Sequence, residues 1–250
     1  MPCPAEMRLL VAWAACLVWC LCWGTQAQVP VRVSLRHNWH NYSDSAAHAA
    51  PLLEMMEAAG QVWPHAFFSL VSRVWSHASA GDELKNMSYE RLYYHMEDVL
   101  RSLAVDAHDA YPESHLEEWR TLVAQHAQAA KVESYYQMFE AGSNLRSLNV
   151  PCDTFVHVNG HAYCSLPAAQ QAVQALNTSS PLLAHDHVHP SHTAPGPSLV
   201  LYADPYSTSI HEFHDMLHAL SSTSHVKYVF RWRPSVASVK PRPMSRYFSG

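Results

Sequence analysis

Residues 198–202 read SLVLY, an apolar run without charge, and residues 226–232 read VKYVFRW. Between them Ile210, Phe213, Leu217 and Leu220 recur at helical spacing. Ser209-Ile210-His211-Glu212 opens that stretch with a capping-box pattern, so the spacing predicts strand, helix, strand. Short links make this a βαβ unit, whose strands lie parallel and whose crossover is right-handed. An apolar run of the SLVLY type is covered on both faces. The crossover helix supplies one cover, so more helices are required. This excludes all-β and all-helical architectures and sets an α/β class.

The remaining helices precede the unit. Residues 46–59 predict a helix with Leu52, Leu53, Met56 and Ala59 on one face and Gly60 as its stop. Residues 64–77 predict another, with Pro64 in its first turn. Residues 88–104 carry Tyr89, Leu92, Tyr93, Met96, Val99, Leu100 and Leu103 at i, i+3, i+4, i+7, i+10, i+11 and i+14. Ser114-His115-Leu116-Glu117 reads as a capping box for the next helix, and residues 132–145 and 167–176 complete the set. Residues 31–35 (VRVSL) alternate as a first strand, and residues 234–250 read as an extended, proline-bearing tail. Residues 46–145 thus form a large helical insertion, and residues 182–197 form a His/Pro-rich linker.

The first 27 residues stand apart. Arg8 precedes an uncharged run over residues 9–23, then Gly24-Thr25-Gln26-Ala27, the layout of a secretory signal cleaved after Ala27. The run is short for a membrane span, and no second apolar span follows. The mature chain is therefore expected to be luminal or extracellular, in the secretory pathway. Of six cysteines, Cys152 and Cys164 survive cleavage. Two cysteines twelve positions apart in an oxidising compartment form one local disulfide, stapling a hairpin around the Asn159-Gly160 turn. Three sequons, at Asn41, Asn86 and Asn177, offer glycosylation sites in the same compartment.

Candidate chemistry is sparse. The net charge of −5 comes from 16 Lys and Arg against 21 Asp and Glu, without a basic stripe, and argues against nucleic acid as a partner. Histidine is abundant at 19 residues. His185, His187, His189 and His192 with Asp186 are the residue types of a zinc or copper site, but Pro190, Pro195 and Gly196 argue for a solvated loop instead. His211-Glu212-Phe213-His214 misses the metalloprotease spacing, and its His residues flank an apolar stripe. No G-x-S-x-G, Walker A or G-x-G-x-x-G occurs, so no catalytic, cofactor or metal residue is assigned. A thioredoxin places C-x-x-C where the first strand of such a βαβ unit meets its helix. Here residues 202–208 read YADPYST, and without a thiolate no disulfide exchange can occur there.

The chain resembles the N-terminal end of the UDP-glucose:glycoprotein glucosyltransferases. The carrying residues are Val33-Ser34-Leu35-Arg36 with Trp39, then Pro51-Leu52-Leu53-Glu54, the Cys152 and Cys164 pair, and Asp186-His187 with Pro190. Further on come Leu199-Val200-Leu201-Tyr202-Ala203, Phe213-His214, Tyr228-Val229-Phe230-Arg231 and Tyr247-Phe248-Ser249-Gly250. The resemblance implies a redox-inactive thioredoxin-like domain over residues 28–233 with a helical insertion. It implies, and it alone implies, the lumen of the endoplasmic reticulum, with a part in recognising misfolded N-glycoproteins there, alongside the remaining domains of a full-length enzyme. The family's calcium- and UDP-glucose-dependent catalytic domain is not in this chain, which alone is expected to transfer no glucose. The competing expectation is a thioredoxin-fold disulfide oxidoreductase or chaperone of the secretory pathway. If the helical insertion meets clients, Tyr93, Trp119, Tyr136 and Phe139 are the candidates for an exposed apolar patch. Taken singly, each reads better as core.

Overall fold

The computed structural model describes residues 49–141, 150–190, 197–223 and 226–233, with side chains undescribed over residues 137–141. The predicted strand over residues 31–35, the signal segment, Asn41, His192 and the tail over residues 234–250 lie outside the described residues. Eight α-helices and a five-stranded sheet are described.

Helix α1 (Ala50–Val62) runs through the middle of the helical block. It is apolar nearly all round, and Leu52, Leu53, Met55, Met56 and Ala58 are wholly buried, as expected of a helix wrapped by others. Gly60 does not stop it. A Cβ there would lie 3.0 Å from Phe67 Cδ2 and 3.2 Å from His187 Cε1, so the glycine is needed for two rings to reach the helix. A 3₁₀ turn (Pro64–Ala66) leads into α2 (Phe67–Val74), followed by α3 (Ala80–Lys85) and α4 (Tyr89–Asp106). Ser88 caps α4 by accepting from the Arg91 N–H at 3.3 Å, and Leu92, Met96, Leu100 and Leu103 form its buried stripe.

Helix α5 (Pro112–Ala124) starts earlier than the predicted capping box at Ser114, which lies inside the helix. Pro112 takes the first-turn position its fixed φ suits, and the Tyr111 N–H donates to Asp109 Oδ1 at 2.9 Å, setting the chain's entry. Helix α6 (Ala129–Ala141) closes the block, with α5 and α6 both packed on α1.

The sheet begins with β1 (Phe155–Val158) and β2 (His161–Tyr163), an antiparallel hairpin. Asn159 and Gly160 turn it with φ of 50° and 83°, the backbone a two-residue hairpin loop needs. Asn159 also donates to Ala175 O at 3.0 Å and accepts from Thr178 Oγ1 at 2.9 Å, tying the turn to the end of α7 (Leu166–Gln174). A short β3 (His187–Val188) follows, then β4 (Ser198–Ala203), α8 (Ile210–Thr223) and β5 (Lys227–Trp232). The strand order is β2-β1-β4-β5-β3. Strands β4 and β5 are parallel, with Leu199 opposite Tyr228 and Leu201 opposite Phe230. The His/Pro-rich segment is thus not simply a linker, because its His187–Val188 stretch pairs with β5.

Alternation divides the sheet into two faces. Leu199, Leu201, Ala203, Tyr228, Phe230 and Trp232 join one continuous core with the helices. Phe155, Val200, Tyr202 and Val229 form a second, smaller cluster on the other face. Helix α8 covers β4 and β5 with buried Ile210, Phe213 and Leu217.

Candidate functional site

The place to look for thioredoxin-type chemistry is the turn between β4 and α8. Its backbone is set by Asp204. The Tyr206 N–H donates to Asp204 Oδ1 at 2.9 Å, and the Ser207 N–H donates to Asp204 O at 2.9 Å. The Asp204 N–H donates to Thr154 Oγ1 at 3.2 Å, anchoring the turn to the start of β1. Burial pushes the Tyr206 phenol up, with Asp204 adding to it.

The helical insertion packs on the first half of this turn. Trp75, just beyond α2, donates its indole N–H to Pro205 O at 3.1 Å and tilts against Trp232 at 5.4 Å. Gly81 of α3 presses on the backbone, since a Cβ there would lie 2.6 Å from Tyr206 O and 2.9 Å from Ser207 O. The segment therefore holds no thiol; Asp204 and Pro205 are buried under the insertion, Tyr206 and Ser207 are half-buried and Thr208 is exposed.

The Cys152–Cys164 disulfide lies on the β1–β2 hairpin, with Cα atoms 5.8 Å apart, and Arg233 donates to Cys152 O. Asn86 and Asn177 are both exposed. Among the described residues no three His, Cys, Asp or Glu side chains are grouped to hold a metal ion, and no helix is long and apolar enough to cross a membrane. The histidines of 185–189 are dispersed: His187 reaches α1, whereas His189 packs edge-on against Phe68. His211 pairs with Asp215 at 3.3 Å. His214 is buried, its Nε2–H donating to Phe68 O at 3.0 Å and its Nδ1 accepting from Tyr228 OH at 2.8 Å. Burial first, then neighbouring His218 and His189, push His214 down to about 3, so it is neutral near pH 7.

Residues 49–240 match the family described as a thioredoxin-like domain. The chain belongs to that family. No curated protein matches it. The thioredoxin-like domain accordingly keeps the βαβ unit of its fold class while its β4–α8 turn lacks the cysteines.

Two buried ionic groups escape the sequence reading. Glu57 of α1 is wholly buried and accepts from Trp232 Nε1 at 2.8 Å, His187 Nε2 at 2.9 Å, Tyr135 OH at 3.0 Å and Lys131 Nζ at 2.5 Å. Burial alone would raise its carboxyl, but attraction and hydrogen bonds from His187 and Lys131 outweigh it and hold the group at about 2. Arg231 grips Asp186 through two bonds, Nε to Oδ1 at 2.7 Å and Nη2 to Oδ2 at 2.6 Å, and donates to Tyr202 OH at 2.5 Å. Burial opposes the charge on Arg231; Asp186 and Tyr202 more than offset it. The only hint of the first group in sequence is that α1 carries acids, Glu54 and Glu57, amid Leu, Met and Ala.

Of the patch candidates, Trp119 and Tyr136 are core, as each reads singly. Trp119 is fully buried and donates to Met55 O at 3.1 Å; Tyr136 is buried and Tyr93 half-buried on Trp119, while the Phe139 side chain lies outside the described residues. Tyr93 and Trp119 fill the space between α1, α4 and α5. The outer faces of α4 and α5 carry ion pairs, Arg101–Glu97 at 2.9 Å, Arg120–Glu97 at 2.6 Å and Arg101–Glu113 at 2.6 Å, with Tyr94 and Val105 of α4 exposed beside them.

Proposed function

We propose that this chain is the N-terminal thioredoxin-like domain of an endoplasmic-reticulum UDP-glucose:glycoprotein glucosyltransferase, serving the part of that enzyme that distinguishes misfolded N-glycoproteins. The observation that carries the reading is the β4–α8 turn, thiol-free and roofed by Trp75 and Gly81. Such a turn supports a domain used for shape and not for disulfide exchange, and gives the competing oxidoreductase no nucleophile there. Two residues that carry the family resemblance, Asp186 and Arg231, meet in one buried pair, which supports treating those scattered matches as one structural unit. Glucose transfer, with its calcium and UDP-glucose, belongs to other domains in this reading. The ion-paired outer faces of α4 and α5 favour a scaffolding contribution there over direct grip on apolar client segments.

The test is complementation. A glucosyltransferase lacking its first thioredoxin-like domain is rebuilt with this chain, and glucose transfer from UDP-glucose to a denatured high-mannose glycoprotein is measured. Restored transfer, with none from the chain alone, is expected. Failure to restore it, together with reduction of insulin disulfides by the chain, would move the function to the oxidoreductase reading.

A further inference from the structure

Two shallow hollows lie end to end at the corner where α3 meets α4, and Arg91 lines both. The first is walled by Asp82, Asn86 and Met87. The second climbs α4 past Tyr94, His95 and Asp98. Arg91, Tyr94 or His95, and Asp98 succeed one another at helical spacing, so they share one outward face. Asn86 at the foot of this face is the acceptor of the Asn86-Met87-Ser88 sequon, and both Asn86 and Ser88 are exposed.

We propose that the N-glycan carried by Asn86 does not project freely but lies back along α4, its two core N-acetylglucosamine rings seated in these hollows and stacked on Tyr94. The inference rests on occupancy of that sequon. Three features aim the sugar. Asn86 Nδ2 donates to Asp82 O at 2.7 Å, and a glycosylated amide keeps one N–H for this bond. The bond fixes the direction in which the glycan leaves. From its first residue, Tyr89, to Tyr94 the helix rises about 7.5 Å, within the reach of two linked pyranose rings. Tyr94 is 58% exposed, and its ring is braced edge-on by Tyr93 at 5.9 Å, which in turn lies on buried Trp119. A rigid exposed ring offers its face to the apolar C–H side of a sugar with little ordering left to lose. Arg91 and Asp98 flank it with donors and acceptors for hydroxyl and acetamide groups.

The experiment uses the chain made in a glycosylating secretory host. Mass spectrometry of the Asn86 peptide, before and after glycosidase, measures occupancy. Tyr94 nitration and thermal unfolding are then compared across wild type, N86Q, Y94A and the double variant, with Y94F as the conservative control. The proposal expects occupied Asn86 and several-fold faster nitration of Tyr94 in N86Q. It expects N86Q to lower Tm by about 2–4 °C when residue 94 is Tyr or Phe, and by under about 1 °C when it is Ala. An unoccupied Asn86 removes the premise and overturns the proposal at that step. Occupied Asn86 with unchanged nitration and additive Tm shifts overturns the packing itself.

Discussion

The indole N–H of Trp232 donates to Glu57 Oε1 at 2.8 Å, joining the last residue of β5 to the central helix of the insertion. With His187, Lys131 and Tyr135 on the same carboxylate, one side chain ties α1, α6, β3 and β5 together. A single buried charge is thus one of the ties between insertion and sheet, beside the shared apolar core and the Trp75–Pro205 bond.

Glu57→Gln keeps the shape of that bolt and removes its charge. Lys131 and His187 then face a neutral amide in a buried setting. We expect a loss of about 2–4 kcal/mol, read as a lower urea midpoint with an unchanged m-value. A midpoint within error of wild type would show that the carboxylate's partners rearrange to water without loss.

Stability should rise with pH from acid to neutral, for two reasons of the same sign. Glu57 is held at about 2 against an ordinary 4.5, so its contribution is present above about 4.5 and is lost as pH falls toward 2. His214 is held at about 3 against 6.5, so the unfolded chain binds the extra proton between those values and stability falls as pH drops through that window. Urea unfolding at pH 4, 5, 6 and 7 checks this, and His214→Gln should flatten the rise between pH 4 and 6. A flat wild-type profile would contradict the buried placement of His214.

Gly81→Ala drives a methyl group into the backbone of Tyr206 and Ser207. Backbone cannot swing aside as a side-chain tip can, so we expect a loss of about 1–3 kcal/mol and altered Trp75 fluorescence. Wild-type stability in this variant would mean that the roof over the turn is loose.

Cys152 and Cys164 should give no free thiol in the native protein and a mass gain of two hydrogens on reduction. Converting both to Ser should cost about 2–3 kcal/mol while leaving the fold in place, because β1 stays paired to β4 without the bridge. Collapse of the far-ultraviolet spectrum on reduction would show the hairpin to be more dependent on the bridge than its pairing suggests.

Local patterns were legible and long-range demands were not. The stripe Leu92, Met96, Leu100 and Leu103 and the βαβ unit are local, and they appear as read. Gly60 reads as a helix stop because glycine usually is one; it lies instead in the last turn of α1, where the rings of Phe67 and His187 approach. Ser114 and Glu117 fit a capping pattern, yet Pro112 starts the helix and Asp109 holds the chain before it. The Glu57 cage draws on residues 131, 135, 187 and 232, so no window of sequence contains it. The thiol-free turn was legible because it needed only the absence of cysteine after a strand. Its roof was not, since nothing near Gly81 points to Tyr206.

Trp232 lies 175 residues beyond Glu57. A ribosome adding roughly 5–20 residues per second presents the indole about 10–35 s after the carboxylate has emerged. Through that interval the central helix carries an acid whose last partner does not yet exist, although Lys131 and Tyr135 are made earlier. The Glu57 cage is therefore completed only when β5 has been made, long after the helices around it.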